Sequence, residues 1–262
     1  MKAVDAGDLV FERKDNVAWV TFNRPDARNA MTFDMYDDLH DLCDQIDGDP
    51  DIRVVVLRGA GDKSFAAGTD IRQFLTFETR EDALGYEARI GRVLRRLAAL
   101  RKPSIAMVQG DAVGGGLFLS LACDLRFTAD HARFGAPVAR TLGNCTAPYS
   151  FTLLATTVGM VRAREILIRA RLVPAAEAKQ LGLVDEVCPL PELEPRVREE
   201  ADKLTGHAPL TMAAVKEATR RVRDVFALDN AEDIILSCYL SQDFKEGARA
   251  FLEKRKPNFQ GR

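Results

Sequence analysis

The stretch VGGGLFLSLACDLRF, Val113 to Phe127, decides the fold. Three consecutive glycines open an apolar helix, and the helix runs into the strand-like CDLRF. The preceding SIAMVQG is a short buried strand. A strand, then glycines, then a helix start presents unpaired N–H groups at the positive end of a helix dipole. Glycine lets another molecule come close to that backbone. The element therefore suits an anion, or an oxygen that becomes anionic during reaction. Tight helix–strand packing is the competing reading of this segment alone. No G-K-[ST] follows, and Gly110 and Gly114 have the wrong spacing for G-x-G-x-x-G, so nucleotide phosphate loops are excluded.

The pattern recurs upstream. RVVVLRG (Arg53–Gly59) is a buried strand, and GAGDKSFAAGTDI follows it. Ala66, Ala67 and Gly68 are small, and Asp70 is placed to cap the next turn. Two such loops, each after a buried strand, can supply two N–H donors to one carbonyl oxygen. In LVFERKDNVAWVTF two strands flank a turn at Lys14–Asn16, the second with apolar groups on both faces. TFDMYDDLHDLCDQI reads as a helix capped by Thr32, and a second helix covers roughly Glu81 to Leu100. The alternation argues for an α/β or α+β core. From about Leu193 onward the chain reads as helices alone.

The whole chain agrees. Its 262 residues are 47% hydrophobic and 29% charged, enough for one large core. A net charge of −2 gives no reason to expect nucleic acid or an anionic membrane as partner. No apolar run approaches a membrane span, and MKAVDAGDLVFERKD lacks a signal-peptide h-region. Five scattered cysteines and no C-x-x-C pair point to reduced thiols, no metal site and a cytoplasmic setting.

FNRPDARNAM, SFAAGTDI, SIAMVQGDAVGGGLFLSLACDLRF and RAFLEKRKPNF, in this order, resemble the crotonase (enoyl-CoA hydratase/isomerase) superfamily. The resemblance implies a spiral of ββα units over residues 1–195 and a C-terminal helical trimerisation region over 196–262. It implies homotrimers or dimers of trimers, and an acyl-CoA thioester as ligand with no tightly bound cofactor; coenzyme A is part of the substrate. By motif, the oxyanion hole would be the N–H groups of Thr69 and Gly115. One such donor is worth about 3 kcal/mol of transition-state stabilisation. Coenzyme A contacts would fall to Ala27, Arg28, Ala67, Asp70, Ile71 and Arg72. Phe251 and Lys254 match positions that reach a neighbouring subunit's coenzyme.

Two departures stand out. Hydratases of this family carry two glutamates; the matching positions here are Phe118 and Val138. Neither can shuttle protons, though both dry the pocket. RTLGNCTAPYS resembles the G-N-D-T-A segment of 4-chlorobenzoyl-CoA dehalogenases, with Cys145 at the nucleophilic aspartate's position. Cys145, activated by Arg140, is thus one candidate, with Asn144 and Asp111 as others. Three readings stay open: a hydratase or isomerase, another crotonase reaction on an unusual acyl group, and an acyl-CoA-binding protein without catalysis. The aromatics of Phe74–Ile90 either shape the acyl pocket or belong to the core.

Overall fold

A computed structural model describes residues 7–228 and 231–262. The chain opens with the hairpin β1 (Leu9–Lys14) and β2 (Val17–Phe22), then α1 (Phe33–Gly48), β3 (Val54–Gly59), β4 (Ser64–Ala66) and α2 (Arg80–Ala98). Next come β5 (Ser104–Val108), β6 (Asp111–Val113), α3 (Gly115–Ala122), β7 (Leu125–Ala129), β8 (Arg133–Gly135) and α4 (Val138–Thr141). Then follow α5 (Pro148–Val158), α6 (Met160–Ile168), β9 (Val173–Pro174), α7 (Ala175–Gln180) and β10 (Glu186–Cys188). Four helices complete the chain: α8 (Leu190–Thr205), α9 (Pro209–Phe226), α10 (Glu232–Tyr239) and α11 (Gln242–Leu252).

The strands form two sheets, ordered β1-β2-β3-β5-β7-β10 and β4-β6-β8-β9. β3, β5 and β7 each deliver the chain to the smaller sheet through β4, β6 and β8, which are parallel to one another. Two successive strands and a helix therefore make one turn of a ββα spiral, as the motifs imply.

The double-faced pattern of β2 has a direct cause. Ala18, Val20 and Phe22 face the core between the sheets and α1, α2, α3 and α5, while Val17 and Trp19 face a second core under α8. Burial on both faces is what parallel strands require. Thr32 caps α1 as expected, its hydroxyl accepting from Met35 N at 3.2 Å.

Residue 195 lies within a helix, α8, whose Leu193, Val197 and Ala201 cover Trp19, Val54 and Met107. α8 is thus part of the main core, and the change of texture at Leu193 is a covering helix. Of the segment from about Leu193 onward that reads as helices, Asp229 and Asn230 lie outside the described residues; the helix that follows them spans Glu232–Tyr239.

Two charged side chains, the half-buried Asp124 and the buried Arg126, tie the layers together. Asp124 accepts from Ser104 N (2.8 Å), Ser104 Oγ (2.9 Å) and the buried Lys216 of α9. Arg126, only 8% exposed, donates from Nε to Leu183 O at 2.8 Å and from Nη1 to Cys123 O at 2.7 Å and Ser120 O at 3.4 Å. It thereby satisfies the carbonyl end of α3. Among the described residues, no helix is long and apolar enough to cross a membrane.

Candidate active site

The two glycine loops lie against each other. Gly68 has φ +92° and Gly114 φ +55°, conformations that glycine tolerates at no steric cost. A Cβ built on Gly68 would lie 3.4 Å from Gly115 N. On Gly116 it would lie 2.0 Å from Ala66 O, so α3 packs on β4 at backbone distance. On Gly115 it would lie 2.6 Å from Tyr36 Oη.

Met31 sets the direction of the first loop. Met31 N donates to Gly68 O and Asp70 N donates to Met31 O, both at 2.8 Å. This parallel bridge turns the N–H of Thr69, the residue between, away from Met31. The N–H of Gly115, first residue of α3, has no preceding turn to bond to. Neither N–H donates to any acceptor among the described residues. Thr69 also contributes a hydroxyl that the motif alone leaves unused. Its Oγ1 lies 3.0 Å from Tyr36 Oη and 2.8 Å from Tyr86 Oη, joining α1 and α2 under the loop. Burial pushes both phenols above their ordinary range, so they stay neutral donors.

The proposed coenzyme residues gather on adjoining segments. Asn29 is buried and ties the FNRPDARNAM loop to Ser64 O (2.7 Å) and Ala60 O (3.0 Å). Ala27 ends a one-turn 3-10 helix, the exposed Arg28 follows with φ +53°, and Ala67 N donates to Arg28 O at 3.1 Å. Asp70 caps the 3-10 turn Ile71–Thr76 through Arg72 N (3.2 Å) and accepts from Arg72 Nε (2.9 Å) and Arg24 Nη2 (3.1 Å). These bonds, from Arg72 foremost, hold its carboxyl down at about 2. Arg72 is thereby engaged in fixing its own loop. Ile71 packs toward an aromatic cluster of Phe74, Phe77, Tyr86, Tyr239 and Phe244. Phe251 is 51% exposed at the end of α11, and Lys254 follows in a left-handed conformation.

The three side chains named as chemical candidates fare differently. Asp111 is bound through both oxygens by Arg133 (3.0 and 2.6 Å), at the opposite end of β6 from Gly114. It is a structural ion pair. Cys145 is not lowered by Arg140, which is exposed on α4; its proximity to Cys238 and burial raise its thiol, while the Cys238 thiol is lowered to about 6. A nucleophilic thiolate at Cys145 needs the reverse. Asn144 donates to Tyr239 Oη at 3.0 Å, while its Oδ1, also buried, accepts from nothing among the described residues. Phe118 is buried one turn into α3, and Val138 is half-buried at the start of α4. Neither position offers a carboxyl group.

One carboxyl group does enter this region. Glu87 of α2 is 8% exposed and accepts from Tyr239 Oη at 2.6 Å. Burial pushes its carboxyl up to about 7; the Tyr239 bond offsets only part of this. Sequence reading missed it because it took α2 as one amphipathic helix. Its register was the available signal, for Glu87 falls on the buried row of Ala83, Ile90, Leu94 and Leu97. The linkage has a definite sign. Between the ordinary value of 4.5 and about 7, the folded chain keeps a proton that the unfolded chain has lost. Stability from this group therefore falls as pH rises from 4.5 through about 7. Melting curves of Glu87→Gln should lose that part of the wild-type slope.

The comparisons follow this geometry. The model of the family "Enoyl-CoA hydratase/isomerase" matches residues 12–262. The chain belongs to this family. Within the crotonase superfamily it is 34% identical over 260 residues to a short-chain-enoyl-CoA hydratase of Clostridium acetobutylicum, covering 97% of each chain. An enoyl-CoA hydratase structure from Mycobacterium avium subsp. paratuberculosis superposes with TM-score 0.85 at 32% identity, covering 97% of this family member and 99% of the other. A methylmalonyl-CoA decarboxylase complexed with 2S-carboxypropyl CoA superposes with TM-score 0.87 at 28% identity, covering 99% and 100%. Hydration and decarboxylation of CoA thioesters thus occur on close structural relatives of this chain.

Proposed function

We propose that this family member binds an acyl-CoA thioester and polarises its carbonyl between the N–H groups of Thr69 and Gly115. The observation that carries the reading is that both donors lack an acceptor among the described residues while their loops touch through glycine. A thioester oxygen between two such donors gains charge at low cost, because the donors are already aligned. The reaction class this serves is one that passes through an enolate or another anion at that oxygen. Simple hydration by two glutamates is disfavoured, since Phe118 and Val138 occupy those positions. The aromatic cluster around Phe74 and Tyr239 borders the acyl group in this reading.

Arg28 meets the coenzyme phosphates, and Lys254 and Phe251 serve the site of a neighbouring copy in a trimer. Exposed apolar side chains on α9, Leu210, Val222, Val225 and Phe226, suit the subunit contact. Calorimetric titration with butyryl-CoA tests these assignments. Removing one charge-assisted phosphate contact by Arg28→Ala should weaken binding about tenfold, and Lys254→Ala by a similar factor in the trimer. Unchanged affinity in both variants would count against this coenzyme site. A panel of 2-enoyl-CoAs, read by loss of enoyl absorbance and by product mass, tests the reaction. Added water in the product would revive hydration.

A further inference from the structure

We propose that Glu87 is the proton-transfer group of this site, held by Tyr239 and Asn144, and that it removes a proton from the carbon beside the thioester carbonyl. The inference rests on the proposed binding of an acyl-CoA thioester at Thr69 and Gly115.

Three observations converge on it. First, Glu87 is buried and pairs with no cation among the described residues. Buried carboxylates are ordinarily paired or fully hydrogen-bonded. Glu87 has one partner, Tyr239 Oη on Oε1, and no donor among the described residues reaches its other oxygen. Second, its partners belong to the candidate site. Tyr239 Oη also receives Asn144 Nδ2, from the GNCTA loop. The Tyr239 ring lies 6.0 Å from that of Tyr86, whose hydroxyl touches Thr69 Oγ1. Third, the carboxyl borders a groove of about 870 Å³ between α2, the start of α5 and α10, so protons can exchange with solvent from the side away from Tyr86.

The step balances on these groups. The C–H bond at the α carbon breaks, and its proton goes to Glu87. The electron pair moves onto the thioester oxygen, where the two N–H groups hold the enolate. The proton then returns to the same carbon, giving exchange, or to the γ carbon of a 3-enoyl chain, giving the conjugated isomer. A base titrating near 7 is matched to such work at neutral pH. Of the groups around it, the phenols and the Cys145 thiol do not compete as bases, while His40 lines the same groove and the Cys238 thiol beside Cys145 is lowered to about 6. Tyr36 of α1, Tyr86 of α2, Cys145 and Tyr239 are all held protonated by their surroundings. At the groove rim, Arg92, Arg95 and Glu232 are paired with Asp37, Asp224 and Arg80.

The test follows deuterium uptake into butyryl-CoA in D2O by mass spectrometry, beside calorimetric binding of the same thioester. In the wild type, exchange should rise with pH through about 7. Glu87→Gln keeps an acceptor for Tyr239, so it should bind butyryl-CoA within about twofold and lose exchange by a hundredfold or more. Tyr239→Phe should exchange more slowly with its pH midpoint moved upward, a shift that a purely structural tyrosine would not give. Exchange within threefold of wild type in Glu87→Gln would overturn the assignment. So would a wild type that binds butyryl-CoA and exchanges nothing, or whose exchange is flat with pH. A wild type that binds no thioester would instead overturn the proposed function beneath it.

Discussion

Gly115→Val is expected to show no binding of butyryl-CoA in a titration that saturates the wild type, and to remain folded by circular dichroism. A Cβ there already falls 2.6 Å from Tyr36 Oη, and valine adds two branches with no place to go. The first turn of α3 must shift, and its N–H leaves the position opposite Thr69. Losing one such donor costs about 10²–10³ in rate where turnover is measurable. The alanine variant separates crowding from loss of the site. Its single methyl clashes only with the phenol oxygen, its contacts with Gly68 Cα (3.6 Å) and C (3.8 Å) being ordinary, so Gly115→Ala combined with Tyr36→Phe should recover much of what Gly115→Ala loses. Gly115→Val should gain little from the same partner change. Wild-type binding by a folded Gly115→Val protein would remove Gly115 from the site.

The second large effect is on stability. Asp124→Ala leaves the ammonium of Lys216, itself only 9% exposed, without its carboxylate. It also frees the N–H and hydroxyl of Ser104, at the start of β5. Breaking a fully buried pair from one side costs about 3–5 kcal/mol; with the Asp124 carboxylate 31% exposed the loss is about 2 kcal/mol, which lowers the melting temperature of a chain this size by about 5 °C. Removing the cation as well, in Asp124→Ala with Lys216→Met, should restore a good part of the loss. Equal melting temperatures for wild type and Asp124→Ala would show that water compensates the lysine.

Local chemistry explains what could be read in advance. The cap at Thr32, the two apolar faces of β2 and the glycines before α3 each follow from a few neighbouring residues. The family followed from motifs in order. What escaped depends on partners far along the chain. Glu87 meets Tyr239 across 152 residues, and Thr69 Oγ1 meets Tyr36 and Tyr86 from two different helices. Asp111 read as a free carboxylate because Arg133, on the neighbouring strand, could not be paired with it before the register was known. The role of α8 as a cover over Trp19 escaped because a covering helix and a detached one share the same periodicity.

Arg126 adds a remote control on the site's field. α3 is eight residues long, about 12 Å, with Gly115 at one end and the carbonyls held by Arg126 at the other. An undressed carboxyl-end dipole that close would pull the potential at Gly115 downward. The guanidinium offsets it, so an oxygen at the proposed site between Thr69 and Gly115 would meet chiefly the positive pole of this short helix. Electrostatic tuning of this pocket therefore extends to a residue that no ligand touches, and re-engineering limited to the pocket wall would leave that setting unchanged.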